Sequence, residues 1–444
     1  MNTQKLFSDF AAQTKAQWEA QVAKDLKGAA TAEDLVWQTP DGLEIAAYRT
    51  AEDQTTSPDG LYSTPKNWRY REFIAQGNAA ETNAAIKEAF EAGAQECNLS
   101  VADLTADYSQ ILKGIALKNQ PIYLTTSHEP YAFVEYLKRT NPSLSALKGG
   151  FCFDPLANYL SKGTKIGDNI EALAAIFEAA SDAKQWNVVH VGGHHFHEAG
   201  ASVVQELAFT LASLVEYWHK LTNYEVSLGA LATRTEVSLS VGTHYFVEIA
   251  KLRAMRLLLN RVGEGFNVPT QNVGIHAQTS AYTFSEADTD TNLLRHTTEA
   301  MSTVIGGADS LSIAPHQSQP LGFAKRIARN ISILLREESY LDRVADAAAG
   351  SYYVENLTDT LAQKAWELFQ EVEAQGGLIF AFEKDFLQKQ IAENQAKHAA
   401  LWQEKKWVMV GHNKYTKGEV AAAKTTETQP RTPRLILPHT LPSL

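Results

Sequence analysis

The sequence predicts an α/β fold: a (β/α)8 TIM barrel with an N-terminal helix and hairpin extension and C-terminal helices. Three observations carry that prediction. From Ala79 onward, short apolar segments rich in β-branched residues alternate with longer stretches of helical period. Eight such strand-like segments occur, the number that closes a barrel of parallel strands. Alternate residues of many of them are small or polar, although parallel strands are covered on both faces.

Residues 1–60 read as an extension that packs on the main domain or on a partner. Leu6, Phe10, Trp18, Val22 and Leu26 recur at helical spacing, and Lys27-Gly28 stops that helix. Residues 35–37 and 43–48 form a short hairpin around Pro40-Asp41-Gly42, a strong turn signal. Residues 52–60 are a polar linker. The barrel and its C-terminal helices then occupy 61–424, and 425–444 is a proline-rich tail.

The predicted strands are 95–101, 121–127, 149–154, 187–192, 236–241, 272–279, 309–314 and 343–348. Helices are expected over 81–92, ended by Gly93, and over 130–139. Pro155 stands in a first helical turn behind Asp154, a favourable cap–proline pair. Glu198-Ala199-Gly200 opens a helix that reaches about His219, and further helices cover 246–262, 291–304 and 323–335. Beyond the eighth strand, helices are expected over 358–375 and 382–402, with a last apolar extended segment at 407–411. Lys251, Arg253 and Arg256 are expected on a solvated helix face.

In a barrel, one strand face meets the helices and the other the axis. Asn98 with Ser100, Thr125 with Ser127, Ser238 with Ser240, and Ser310 with Ser312 each share a face. Gly274, His276, Gln278 and Ser280 do so on another strand. The opposite faces carry Leu99, Val101, Leu239, Val241, Val273, Ile275 and Leu311. The axis is therefore expected to be lined by small hydroxyls and amides, with room for an elongated polar ligand or for water.

Ligand sites of such barrels lie at the C-terminal strand ends. There the stretch NVVHVGGHHFHEAGA (187–201) places His194, His195 and His197 behind a strand and Gly192-Gly193. These histidines lack a spacing fixed by secondary structure, and no metal site is expected from them. Neither Gly149-Gly150 nor Gly192-Gly193 forms a phosphate-binding glycine motif, so both read as tight turns at strand ends.

The composition narrows the function classes. A net charge of −11 argues against nucleic-acid or anionic-membrane partners. No apolar run approaches the ~20 residues of a membrane span, and the N-terminus lacks a signal-peptide core. Cys97 and Cys152 are the only cysteines; both fall in predicted strands, which favours buried thiols in a reducing compartment over a disulfide. A cytoplasmic location is expected.

The motifs also resemble those of a known family, the adenosylcobalamin-dependent acyl-CoA mutases, specifically methylmalonyl-CoA mutase. GHHFHEAGA (193–201) is similar to the family's GYHMQEAGA, and YFVEIAKLRAMRLL (245–258) to its next long helix. HAQTSAYTF (276–284) resembles HSQTSGWSL. RIARN (326–330), EES (337–339), GSYYVENLT (350–358), EVEAQGG (371–377) and VGHNKY (410–415) follow in order. The likeness runs from about Tyr62 to Tyr415. It implies a barrel threaded along its axis by the pantetheine of coenzyme A, in keeping with the small polar strand faces.

The resemblance assigns His195 to the substrate-contacting histidine and Gln278 with His276 to a strand-six pair. It assigns Arg71 and Arg234 to arginines that bind substrate or coenzyme A, with His194 beside them. Other positions depart from the family pattern. Phe73 stands for a tyrosine near the reacting centre and cannot donate a hydrogen bond. His194 replaces a tyrosine, Cys152 a glutamine and Lys162 an arginine. Ala314 and Ser318 fall about where an asparagine and a glutamate face the cofactor. Catalytic members continue into a cobalamin domain with an Asp-x-His-x-x-Gly motif, and no histidine here has Asp two positions earlier.

Three readings remain open at this stage. The chain is a small, non-catalytic subunit paired with a large catalytic mutase subunit, with adenosylcobalamin in the complex but not on this chain alone. Alternatively, it is an active substrate barrel that borrows a separate cobalamin-domain chain. In the third reading it binds coenzyme A or acyl-CoA without chemistry.

Overall fold

A computed structural model of the protein describes residues 11–416, apart from 12, 32, 54–60, 62–66, 103–105, 142 and 318–320. Ser318, part of the expected 52–60 linker, and the proline-rich 425–444 tail lie outside the described residues.

The chain opens with helix α1 (Lys15–Asp25), capped by Thr14 in a capping box, and turns at Lys27 and Gly28 through left-handed backbone. Strands β1 (Trp37–Gln38) and β2 (Glu44–Ile45) pair antiparallel as the predicted hairpin. The hairpin packs on the barrel: Leu43 and Ile45 join the main core, and Asp41 accepts a hydrogen bond from His398 at 3.0 Å.

The barrel wall consists of β3 (Arg69–Ala75), β4 (Glu96–Ser100), β5 (Ile122–Thr125), β6 (Lys148–Cys152), β7 (Gln185–Asn187), β8 (Val189–Gly192), β9 (Thr235–Val241), β10 (Gly274–Thr279) and β11 (Ser310–Ser312). All pair in parallel, in the order β7-β6-β5-β4-β3-β11-β10-β9-β8. Short β7 and β8 are two pieces of one strand interrupted at Val188, the first pairing with β6 and the second with β9. That split strand closes the ring, so the wall has eight staves, as predicted.

Two strand assignments differ from the sequence reading. The first stave is β3, which the alternation analysis does not include. Its charges disguise it: Arg71 and Glu72 are buried, but paired with Glu96, Glu236 and Arg329. The predicted eighth strand, 343–348, is a run of turns. Val344 there is exposed, and Asp346 is drawn to Arg253.

Helices fill the outer layer: α2 (Ala79–Glu91), α3 (Tyr108–Ile111), α4 (Tyr131–Thr140), α5 (Pro155–Lys162), α6 (Ile166–Ala179), α7 (His194–Glu198), α8 (Val203–Thr222), α9 (Leu228–Thr233), α10 (Tyr245–Phe266), α11 (Thr289–Ile305) and α12 (Leu321–Glu337). Helices α13 (Tyr352–Ala374), α14 (Leu378–Glu383) and α15 (Phe386–Gln403) follow. The outward strand side chains Leu99, Leu124, Val191, Val237, Leu239, Ile275 and Leu311 are buried against this layer. Asp154 caps α5 through Ala157 N, as the Asp–Pro pair predicts. The long helix after the histidines starts later than expected. Those histidines form the short α7, and Ser202 caps α8 in a capping box.

The cations of α10 are not solvated, contrary to expectation. Lys251 bonds Glu206 Oε2 at 2.8 Å and Glu248 Oε2 at 2.6 Å. Arg253 pairs with Asp346 and Glu355, and Arg256 with Asp309. All three are buried, because each meets opposite charge: Glu248 on α10 itself, and Glu206, Asp346, Glu355 and Asp309 from elements remote in sequence. Among the described residues, no helix is long and apolar enough to cross a membrane.

Candidate functional site on the barrel axis

Paired residues of parallel strands share a face, so the register identifies the axial wall. The Arg71↔Glu96, Asn98↔Tyr123, Tyr123↔Gly150, His190↔Glu236, Ser238↔His276 and His276↔Ser310 pairs lie on it. Asn98, Ser100, Thr125, Ser238, Ser240, His276, Gln278, Ser310 and Ser312 all belong to this face, as the period-two reading predicts.

The N-terminal half of the axis is filled by an ionic layer. Arg71 Nε donates to Glu96 Oε2 at 2.8 Å. Its two terminal nitrogens donate to Glu236 Oε1 and Oε2 at 2.8 and 2.7 Å, a bidentate fork. A further bond reaches Ser310 Oγ at 3.2 Å, and the guanidinium lies over the Tyr123 ring, 3.3 Å from its centroid. His276 Nδ1 shares a 2.8 Å hydrogen bond with Ser310 Oγ. Arg71, Glu96, Tyr123, His190, Glu236, His276 and Ser310 are all buried. Burial alone would raise the Glu236 carboxyl, but Arg71 outweighs it and holds it below the usual carboxylate range. Burial, then Arg71, pushes His276 well down, so its imidazole is neutral.

The C-terminal half is a mouth. Asn98, Ser100, Thr125, Cys152, Gln278 and Ser312 are half-buried there, and Phe73 is 49% exposed. Thr125 donates to Asn98 Oδ1 at 2.7 Å and Ser312 to the Arg71 carbonyl at 2.8 Å. Gln278 donates to Glu198 Oε1 at 3.1 Å. Burial raises the Glu198 carboxyl to about 7. The rings of His194 and His195 pack on each other, centroids 3.9 Å apart. Burial lowers His195 to about 4 and His194 well below its ordinary value.

Two glycines set this mouth. A Cβ on Gly192 would lie 2.6 Å from the His195 ring, and one on Gly193 would lie 2.1 Å from Thr210 Oγ1. Asp154 ties the rim together: Oδ2 accepts from Gly192 N at 2.7 Å, and Oδ1 accepts from the Tyr217 hydroxyl and Ala157 N.

The remaining sequence-derived positions lie off the axis. Arg234 faces the helical layer, donating to the carbonyls of Trp186, Phe177 and Ala180, and burial lowers it to about 10. Lys162 is exposed at the end of α5. Ala314 follows β11, its backbone N bonded to Thr279 Oγ1.

A family model described as methylmalonyl-CoA mutase matches residues 97–434, well over half of the chain. The chain belongs to the methylmalonyl-CoA mutase family. A methylmalonyl-CoA mutase small subunit of Porphyromonas gingivalis is 30% identical, over 96% of this chain and 74% of that protein. A probable methylmalonyl-CoA mutase small subunit of Mycobacterium bovis is 33% identical, over 88% of this chain and 68% of that protein. A methylmalonyl-CoA mutase of Rhizobium meliloti is 30% identical over 90% of this chain, which spans only 63% of it.

Within this mutase-family barrel the structure brings Arg71 and His276 together in the ionic layer, and His194, His195, Gln278, Phe73 and Cys152 at the mouth. It leaves Arg234 and Lys162 outside. The sequence reading did not include Glu96, Tyr123, His190, Glu236 or Glu198. A signal existed for two of them. Glu96 precedes Asn98, and Glu236 precedes Ser238, each by two residues on the axial face.

Proposed function

We propose that this chain is the small, non-catalytic subunit of a heterodimeric adenosylcobalamin-dependent methylmalonyl-CoA mutase. Interconversion of methylmalonyl-CoA and succinyl-CoA then takes place on the large subunit. The ionic layer across the axis carries this reading. A pantetheine arm threaded through the barrel would have to pull Arg71 away from Glu96 and Glu236. Breaking such a buried set leaves uncompensated charges and costs about 3–5 kcal/mol.

The mouth supports the same reading. Phe73 offers no hydroxyl, Cys152 no amide and Ala314 only a methyl group. The imidazoles of His194 and His195 pack against each other at the mouth, their planes tilted by 39°. Adenosylcobalamin does not fit these described residues, and we assign it to the complex rather than to this barrel. The relatives named small subunit in Porphyromonas gingivalis and Mycobacterium bovis support a large-subunit partner. So does an apolar groove lined by Leu35, Trp37, Tyr48, Phe246 and Tyr353, in which Trp37 and Phe246 are about half exposed. Two free thiols fit the cytoplasm, where we place the complex.

The test is a pair of assays. Pulled from its own cells, the chain should bring a large mutase subunit with it. Mixed alone with adenosylcobalamin, methylmalonyl-CoA and an isolated cobalamin domain, it should give no turnover. Turnover in that mixture would overturn the non-catalytic assignment in favour of an active barrel.

A further inference from the structure

We propose that Cys152, His190 and Glu236 form a zinc-binding site on the inner wall of the barrel. The three residues come from neighbouring staves, β6, β8 and β9. The Cys152 Sγ, one imidazole nitrogen of His190 and a Glu236 carboxylate oxygen all lie within 4.8 Å of one another. Zinc bonds of ~2.0–2.3 Å place tetrahedral ligand atoms about 3.3–3.8 Å apart, so side-chain adjustments of about 1 Å close the site. His190 Nδ1 and Glu236 Oε1 already stand 3.8 Å apart.

A second observation points to a ligand. His190 is 5% exposed, and its buried Nδ1 has no hydrogen-bond partner. An imidazole nitrogen buried without a partner is costly, and a metal bond relieves that cost. Thiolate, imidazole and carboxylate together suit zinc among the divalent ions. Three protein ligands leave a fourth position for water or for His194, whose ring lies 6.3 Å from that of His190 and whose Nδ1 is also buried without a partner.

The surroundings are compatible with the added charge. Arg71 grips both oxygens of Glu236 and fixes the carboxylate plane; Oε2 also accepts from Asn187 at 3.5 Å, while Oε1, the oxygen facing His190, retains a lone pair. Glu96 and Glu236 already balance Arg69 and Arg71. The Cys152 thiolate and the Glu236 carboxylate offset the zinc charge, and the Asp154 carboxylate lies nearby. Zinc binds Cys152 as the thiolate and His190 as the neutral imidazole. The site is independent of the mutase reading and stands or falls separately from it.

The experiment uses the full chain, stripped with a chelator and titrated with zinc and, as a spectroscopic probe, with cobalt(II). We expect one zinc per chain and a thiolate-to-cobalt charge-transfer band in the near ultraviolet. Cys152→Ser should abolish that band. Cys152→Ser and His190→Gln should each weaken zinc binding more than about 100-fold, beyond the 10–100-fold typical of outer-shell changes. Circular dichroism confirms that the variants fold. Should His190→Gln fail to fold, Cys152→Ser, at a half-buried position, and the cobalt spectrum decide alone. Absence of stoichiometric zinc, cobalt bound without a thiolate band, or zinc affinity unchanged in Cys152→Ser overturns the site.

Discussion

Arg71 illustrates how one side chain on an axial strand face decides what the axis can hold. Its guanidinium spends its donors on Glu96, Glu236 and Ser310, and its flat face lies on Tyr123. Arg71→Met should therefore destabilise the fold by about 3–5 kcal/mol in urea titrations, because two buried carboxylates lose their partner. Arg71→Lys keeps the charge but not the fork, and should fall between the two. The pH response follows from Glu236. Its folded carboxyl is held below the unfolded value by Arg71, against burial. That stability is present above the unfolded pKa and is lost as pH falls through the lower folded one. In Arg71→Met this acid-side loss should disappear from the urea midpoint measured between pH 3 and about 5.

At the scale of elements, ends and interfaces are set by single polar groups. Asp154 joins the ends of β6 and β8 to α5 and α8 through Gly192 N, Ala157 N and the Tyr217 hydroxyl. Asp154→Ala removes a helix cap and strands buried donors, and should cost about 2–4 kcal/mol by chemical denaturation. Glu299 on α11 works in the opposite direction. Burial raises its carboxyl to about 8, with one hydrogen bond from Thr283. The native state holds that proton after the unfolded chain has released it, so stability falls as pH rises from about 4.5 to about 8. Glu299→Gln should flatten this slope, which melting temperatures at pH 5 and pH 8.5 will show. The alternating elements are legible in the sequence because period-two and period-3.6 apolar patterns follow from burial against the helical layer. The polar axial face is legible for the same reason. Strand β3 is not, because Arg69, Arg71 and Glu72 read as surface until their partners are known. Those partners, Glu96, Glu236 and Arg329, are remote in sequence, as are most of those of Lys251, Arg253 and Arg256 on α10, Glu248 excepted. At 343–348, a few apolar residues mimic a strand where the turns are in fact held by Asp346 and Arg253. Local pattern reports which face is buried, but not which charges meet there.

At the scale of the whole molecule, a barrel closed by a split strand carries a hairpin clamped to its helices through Asp41 and His398. The groove between the hairpin and α10 leaves Trp37 and Phe246 about half exposed. If it receives the large subunit, Trp37→Ala with Phe246→Ala should weaken that association by at least tenfold in pull-down or ultracentrifugation, with the chain itself still folded. In the proposed non-catalytic reading, the buried ionic layer of Arg71, Glu96 and Glu236 leaves no axial passage for coenzyme A. Calorimetric titration of the full chain with coenzyme A tests it most directly. The closed axis predicts no measurable binding heat. Saturable one-to-one binding that Arg71→Met alters, by displacing the layer, would contradict it.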